Sequence, residues 1–390
     1  MHLPAISPRH RNYLITASVS TKLFLLGLLV FAFHTLPDSF DYQNYYVAMQ
    51  NIVQGLAPWA NGTSVMFPPL AYIPMGIAYI ISLFSGFTGF VLTMWVMEEI
   101  CDLVIIFCIY KIGVKLYSQR TAFIAALLYA TSISMAYYSM SKFDAFPTAL
   151  MMIALTVTIY GDKTKGYLAS IAGFFVKLWP VVLFPFLWIY NSRNSSLLTE
   201  GKKRVGLIIG VSFIIVIGML VLGYNLLVGY ASLVFCNTIQ YTFLQYCQIA
   251  AIPISQSILE KVFWGLMVCV ILAVMYTLYK SPKTITILLK CVLISIMALV
   301  FLMQYRSPQY IVWFMPILAI LVADRIESIL VFIVVQILAF IEFPLAFYSL
   351  YTNTQYTSPW ALIFFTIYFA AFGLLLWQAL KFNGKKGVKA

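Results

Sequence analysis

Charge is scarce in this sequence. Asp, Glu, Lys and Arg together make up 9% of its 390 residues, against roughly 25% in soluble domains, and that excludes a water-soluble globule. Acidic residues are the scarcer sign, 12 against 24 Lys and Arg. No polar stretch is longer than a loop, so no soluble domain is expected, and no internal repeat is visible. The six cysteines lack CxxC or Cys/His ligand spacing, which argues against a metal site. Cys236 and Cys247 share one loop and could pair if it faces an oxidising compartment. Arg9, Arg11 and Lys22 precede the first apolar run, but no small-residue cleavage site follows, so a cleavable signal peptide is not expected.

What remains is apolar. Hydrophobic residues make up 63% of the chain and aromatics 17%. A membrane helix needs about 20 apolar residues, so this length holds about ten to twelve of them. The expected fold is an all-α polytopic membrane protein, a single integral membrane domain over residues 1–390. The net charge of +12 does not imply nucleic acid, because the cations sit in short clusters between apolar runs, the pattern that orients membrane helices with their basic loops in the cytoplasm.

That rule sets a topology. The first crossing is expected over Leu23–Leu36 from a cytoplasmic N-terminus, so the stretch from Asp38 to Leu70 emerges on the extracytoplasmic face. Tyr45–Gln54 reads as an interfacial helix. Pro68–Phe84 is apolar, yet making it a crossing would send Lys111, Lys115 and Arg120 outside. A surface or re-entrant helix, followed by a crossing over Thr88–Tyr110, keeps them inside. The first extracytoplasmic loop therefore covers residues 38–87. Tyr167–Tyr190 has basic flanks on both sides, with Lys177 and Pro180 in its middle. Proline breaks a helix and a lysine at mid-membrane is costly, so two half-helices meeting near the outer face are expected, with Lys177 at their tip. A second large external loop is expected over residues 229–257, and both termini in the cytoplasm. Of the 24 Lys and Arg, all but Lys142, Lys177, Lys261, Lys290 and Arg306 fall inside.

The exceptions are informative. Lys142, Lys177 and Arg306 sit at helix ends or breaks on the outer side, where they could bind an anionic phosphate or anchor at the interface by snorkelling. Asp41 is a candidate general base. Asp38, just after Pro37, fits a helix cap, and Asp144 an ion-pair partner for its neighbour Lys142. Glu98, Glu99, Asp102 and Glu342 are intramembrane acids that need a function or a partner. Lys290 and Lys261 are conceivable partners for them. Tyr42, Tyr45, Tyr46 and Trp59 could flank a sugar.

The stretch Asp41-Tyr42-Gln43, with Tyr45, Ala48, Gly55, Pro58 and Trp59, resembles the first external loop of the GT-C superfamily of polyprenyl-phosphate-sugar-dependent glycosyltransferases. The likeness is strongest to the catalytic subunit of GPI mannosyltransferase I, then to glycosyltransferase family 87. Phe67-Pro68-Pro69-Leu70, Asp102-Leu103, Ser141-Lys142-Phe143-Asp144, Val176-Lys177-Leu178-Trp179-Pro180 and Ser307-Pro308-Gln309-Tyr310 with Trp313 and Pro316 follow in family order. Two departures stand out: the Asp-x-Asp of the first loop is one residue wider here, Asp38 to Asp41, and Lys142 and Asp144 replace the Gly-Gln-x-Asn that family 87 often carries. The resemblance implies a GT-C bundle with interfacial helices in the first external loop. It implies an inverting transferase that moves a sugar, mannose above all, from a polyprenyl-phosphate carrier to a glycan or glycolipid acceptor outside the cytoplasm. Asp41 would be the base, with Lys177, Arg306 and Lys142 on the donor phosphate and Asp38, Asp144, Tyr45, Gln309 and Tyr310 as further substrate contacts. No metal or other cofactor is implied. Partners would be membrane lipids, the lipid-linked donor, the acceptor and an accessory membrane subunit, in a prokaryotic cell membrane or endoplasmic reticulum. A transporter or flippase of a lipid-linked sugar is the alternative, and a non-catalytic subunit of a larger transferase a third.

Overall fold

A computed structural model describes residues 6–62, 67–192, 196–221, 256–303, 306–346 and 359–383. The expected 229–257 loop, with Cys236 and Cys247 in it, lies almost wholly outside these residues. Every regular element among the described residues is helical. The helices are α1 (Pro8–Phe31), α2 (Phe40–Val53), α3 (Tyr72–Leu116), α4 (Gln119–Ala130), α5 (Ile133–Ser141), α6 (Ala145–Ile159) and α7 (Lys163–Val176). They continue with α8 (Leu183–Asn191), α9 (Leu197–Val221), α10 (Gln256–Lys280), α11 (Ile285–Leu302), α12 (Met315–Val322), α13 (Ile326–Phe340) and α14 (Pro359–Lys381).

Among the described residues, five segments are long and apolar enough to cross a bilayer: Pro8–Phe31, Glu260–Lys280, Ile285–Leu302, Ile326–Leu345 and Trp360–Lys381. The pair α4 and α5, bent by 51°, makes a sixth if it is one broken crossing. Long helices that expose Leu, Ile, Phe and Val side chains suit hydrocarbon and not water. The chain is a helical membrane protein.

Local sequence explains most of the boundaries. Ser118 caps α4 by accepting the Thr121 N–H at 3.3 Å, and Thr284 caps α11 by accepting that of Ile287 at 3.3 Å. Asp162 caps α7 by accepting from Lys165 N–H at 3.1 Å. Such side-chain oxygens satisfy donors that the first helical turn leaves orphaned. Gly86 interrupts α3 with φ 66°, a backbone conformation that costs glycine little and other residues more. The break falls between the two segments read from sequence, Pro68–Phe84 and Thr88–Tyr110. Between α7 and α8 the chain leaves the helix at Lys177 (φ −152°, ψ 141°), and a single 3-10 turn, Trp179–Val182, carries Pro180. Tyr167–Tyr190 is thus two short helices, as the cation and the proline required. Gly173 permits the tight return: a Cβ there would stand 3.1 Å from Pro180 and 3.5 Å from Leu150.

Two helices start earlier than hydropathy indicates. The first begins at Pro8 and not at Leu23, and α2 at Phe40 and not at Tyr45. Hydropathy marks the apolar part of a helix, whereas Ser, Thr and Asn continue the backbone pattern at modest cost.

The chain divides into two compact units, one comprising 26–105 and 138–236, the other 2–25, 106–137 and 237–390. The core of the first is aromatic and Met-rich: Tyr42, Tyr45, Ala48 and Met49 of α2 pack on Tyr72, Met75, Phe90 and Met94 of α3, with Phe143 and Val176. In this unit α6 packs along α7, and α7 also meets the short turn Pro69–Ala71. In the second unit α12 is apolar on every side and buried along its whole length. It is packed against α4, α13 and α14, which is where an all-round apolar helix belongs.

Candidate functional site

In the first unit two charged residues, Lys142 and Asp144, share one non-helical turn, residues 142–144, between α5 and α6. Lys142 and Asp144 leave it toward different neighbours. Tyr42 of α2 donates its hydroxyl to the Ser139 and Lys142 carbonyls, each at 3.5 Å, where α5 ends and its last carbonyls lack helical partners.

Lys142 reaches back about a hundred residues in sequence to the two acids that precede and open α2. Its Nζ lies 2.9 Å from Asp38 Oδ2 and 3.2 Å from Asp41 Oδ2. The lysine side chain is 8% exposed, the acids 33% and 24%, so the cation is at the bottom and the carboxylates at the rim. Burial pulls the Lys142 ammonium down, but Asp41 and then Asp38 outweigh it, and it titrates above its ordinary value; a close opposite charge favours the charged form. Asp38 also accepts the Phe40 N–H at 2.9 Å, so it both opens α2 and grips the lysine. Asp41 lies in the first turn of α2, where the helix dipole favours an anion.

Asp144 faces the other way. Its Oδ1 lies 2.6 Å from Lys177 Nζ at the α7 break, and that ammonium is also 3.5 Å from the Phe143 carbonyl and over the Phe67 ring at 5.6 Å. Asp144 is the N-cap residue of α6, yet its side chain makes no capping bond. Glu98 of α3 holds the first amide of that helix: its Oε2 accepts the Ala145 N–H at 2.9 Å. Glu98 was legible from the sequence only as an acid in an apolar helix needing a partner; the partner is a backbone amide.

Tyr45 is taken up by packing. It is buried, with edge-on contacts to Tyr42 at 5.9 Å, Phe67 at 5.5 Å and Phe143 at 6.2 Å. Burial first, then the nearby carboxylates, pushes the Tyr42 and Tyr45 hydroxyls well above the usual phenol range, so both stay protonated at neutral pH.

The second unit holds Arg306, Gln309 and Tyr310. Arg306 is 1% exposed. It is ion-paired to buried Glu342, and its guanidinium lies over the Phe301 ring at 5.6 Å and the Tyr368 ring at 5.5 Å. Glu342, open in the sequence, thus has Arg306, while Lys290 donates to the Leu380 carbonyl at 2.6 Å. Gln309 is buried and accepts from the Ser307 hydroxyl. Tyr310 stacks on Trp313 at 4.1 Å.

Among the described residues no three His, Cys, Asp or Glu side chains are placed to hold a metal ion. The chemistry available at the 142–144 turn is that of carboxylates held in place by lysines: proton acceptance at the rim and charge stabilisation below it. No protein-family model matches the chain, and no curated protein is similar to it.

Proposed function

We propose that the chain is an inverting GT-C-type glycosyltransferase that moves a sugar, mannose above all, from a polyprenyl-phosphate carrier to a glycan or glycolipid acceptor. The observation that carries this reading is the Asp38–Lys142–Asp41 cluster, two carboxylates at a rim fixed by one buried lysine. The ordered sequence resemblance agrees with it. In this reading Asp41 takes the proton of the acceptor hydroxyl as its oxygen attacks the anomeric carbon. The bond from that carbon to the phosphate oxygen breaks on the opposite side, and the polyprenyl phosphate leaves with the electron pair. Lys177, oriented by Asp144, meets the negative charge that grows on the phosphate, a charge largest in the transition state. Lys142 holds Asp41 and Asp38, while Arg306, sealed against Glu342, has a structural part. The site faces the extracytoplasmic side of a bundle of about ten to twelve helices. The donor phosphate arrives from the lipid phase and the acceptor from either phase, with an accessory membrane subunit as a further partner.

A second reading, a transporter or flippase of a lipid-linked sugar, draws on one observation. Lys142 and Lys177 both face carboxylates, and paired charges within a membrane protein mark ion pathways.

The test is to incubate the purified protein with radiolabelled polyprenyl-phosphate sugars and a panel of acceptors. Transfer by the native protein is expected, with Asp41→Asn remaining folded and membrane-integrated but losing about 10²–10⁴-fold in rate, the typical contribution of a general base. Full activity of Asp41→Asn would overturn the base assignment. Flipping or uptake in proteoliposomes without sugar transfer by the native protein would replace the transferase with the transporter.

A further inference from the structure

We infer that Glu98 is a positioning residue that keeps Asp144 on Lys177 by holding the first amide of α6, the one that follows Asp144. The first N–H groups of a helix need acceptors, and an N-cap aspartate ordinarily turns its own carboxylate back to supply one. Asp144 occupies that position without doing so. Its carboxylate is 2.6 Å from Lys177, and the N–H of the next residue, Ala145, is held by Glu98, more than forty residues earlier on α3. Both acids are buried, Glu98 at 1% and Asp144 at 1% exposure, so the amide has no water to turn to and an unmade bond is costly. The second Glu98 oxygen is buried without a hydrogen-bond partner among the described residues. A carboxylate buried with one oxygen committed to a single amide does little for itself, and what it secures lies at the other end of that amide.

The consequence concerns Asp144. Without Glu98, the buried Ala145 N–H has no acceptor, the peptide joining Asp144 to Ala145 shifts to find one, and the Asp144 carboxylate is carried off Lys177. Glu98 thereby acts on the cation of the α7 break through an intermediary. The kinetic part of this inference rests on the transferase reading, in which Lys177 receives the donor phosphate. The structural part does not depend on it.

Lysine acetylation of the full-length protein in detergent, read by mass spectrometry, separates the two. Lys165, with its side chain 70% exposed, serves as the internal reference for Lys177, whose side chain is 14% exposed. In Glu98→Ala the Lys177 to Lys165 labelling ratio is expected to rise about tenfold, equal to ~1.4 kcal/mol of lost protection. The donor KM should rise with it. Glu98→Gln keeps an amide oxygen for Ala145 and should restore protection and KM to within about twofold of the native values. Unchanged Lys177 labelling in Glu98→Ala would overturn the inference, as would a Gln variant as exposed as the Ala variant. If Glu98→Ala does not fold, the Gln variant decides alone: a protected Lys177 supports the inference and an exposed one overturns it. A native protein that transfers no sugar would remove the transferase reading, and the labelling ratios would still decide the role of Glu98.

Discussion

The two units handle buried charge in opposite ways. In the second, Arg306 and Glu342 are a fully buried pair lying against the Phe301 and Tyr368 rings. In the first, Lys142 is shared by two carboxylates that are a quarter to a third exposed, and Lys177 sits at a helix break against a carboxylate that would otherwise cap α6. A pair sealed from solvent contributes to stability or to uniqueness of packing. A buried cation under two partly exposed acids leaves the acids able to meet a substrate while their geometry is fixed from below. Electrostatics of the second kind is what catalysis can use, and the proposed function accordingly rests on Lys142 and its acids and not on Arg306.

The largest effect that would break this contrast is expected at the sealed pair. Removing one partner of a buried ion pair strands the other, at a cost of about 3–5 kcal/mol. Arg306→Ala and Glu342→Ala should each lower the melting temperature of the detergent-solubilised protein severely, while Arg306→Met combined with Glu342→Leu should recover most of the loss. Near-native stability of both single variants would show that the pair is not sealed.

Lys142 is expected to give a smaller effect of a different kind. Lys142→Met leaves Asp38 and Asp41 without their cation, but both can turn toward water, so about 1–3 kcal/mol is lost where a fully buried partner would cost more. The pH dependence carries the sign. The Lys142 pKa is raised in the folded state by Asp41 and Asp38 against the opposing effect of burial. Its contribution is therefore fully present below the unfolded lysine value of about 10.4 and disappears as pH rises through the higher folded value. Melting temperature compared between native protein and Lys142→Met should differ by a constant amount from pH 7 to 10, and the gap should close only above that range. A gap that closes near neutral pH would mean the carboxylates do not govern this lysine.

The parts of this arrangement that could be read from the sequence are those that violate a local rule. Lys177 and Pro180 in an apolar segment demanded a break, and the chain does leave the helix there. The basic residues after Thr88–Tyr110 required a discontinuity before it, and Gly86 supplies one. Pairing was not legible. Lys142 could as well have served its neighbour Asp144 as the distant Asp38 and Asp41, because adjacency in sequence says little about where two side chains leave a non-helical turn. Glu98 was visible as an acid in an apolar helix, but its partner is a backbone N–H and carries no sequence signature. Tyr45 shares helical spacing with Tyr42, Ala48 and Met49, a pattern that fits a core face as well as a sugar platform; packing decides, and here the ring is buried.

The smallest expected effect lies outside both charge clusters and calibrates them. Asp162 caps α7 through the Lys165 N–H at 3.1 Å and pairs with the Lys165 ammonium at 3.0 Å. Those hydrogen bonds, the backbone one foremost, hold its carboxyl below the usual range. The sign is opposite to that of Lys142: stability is present above the unfolded aspartate value of about 3.9 and is lost as pH falls through the lower folded value. Asp162→Ala removes an N-cap, which costs about 1 kcal/mol, and the exposed ion pair adds little to that. The variant should melt slightly below the native protein at pH 7 and coincide with it only once pH falls below the folded Asp162 value, with Lys177 acetylation at neutral pH unchanged. If Asp162→Ala exposed Lys177, α7 would transmit strain from its first turn to its last, and the protection of Lys177 could no longer be credited to Asp144 and Glu98.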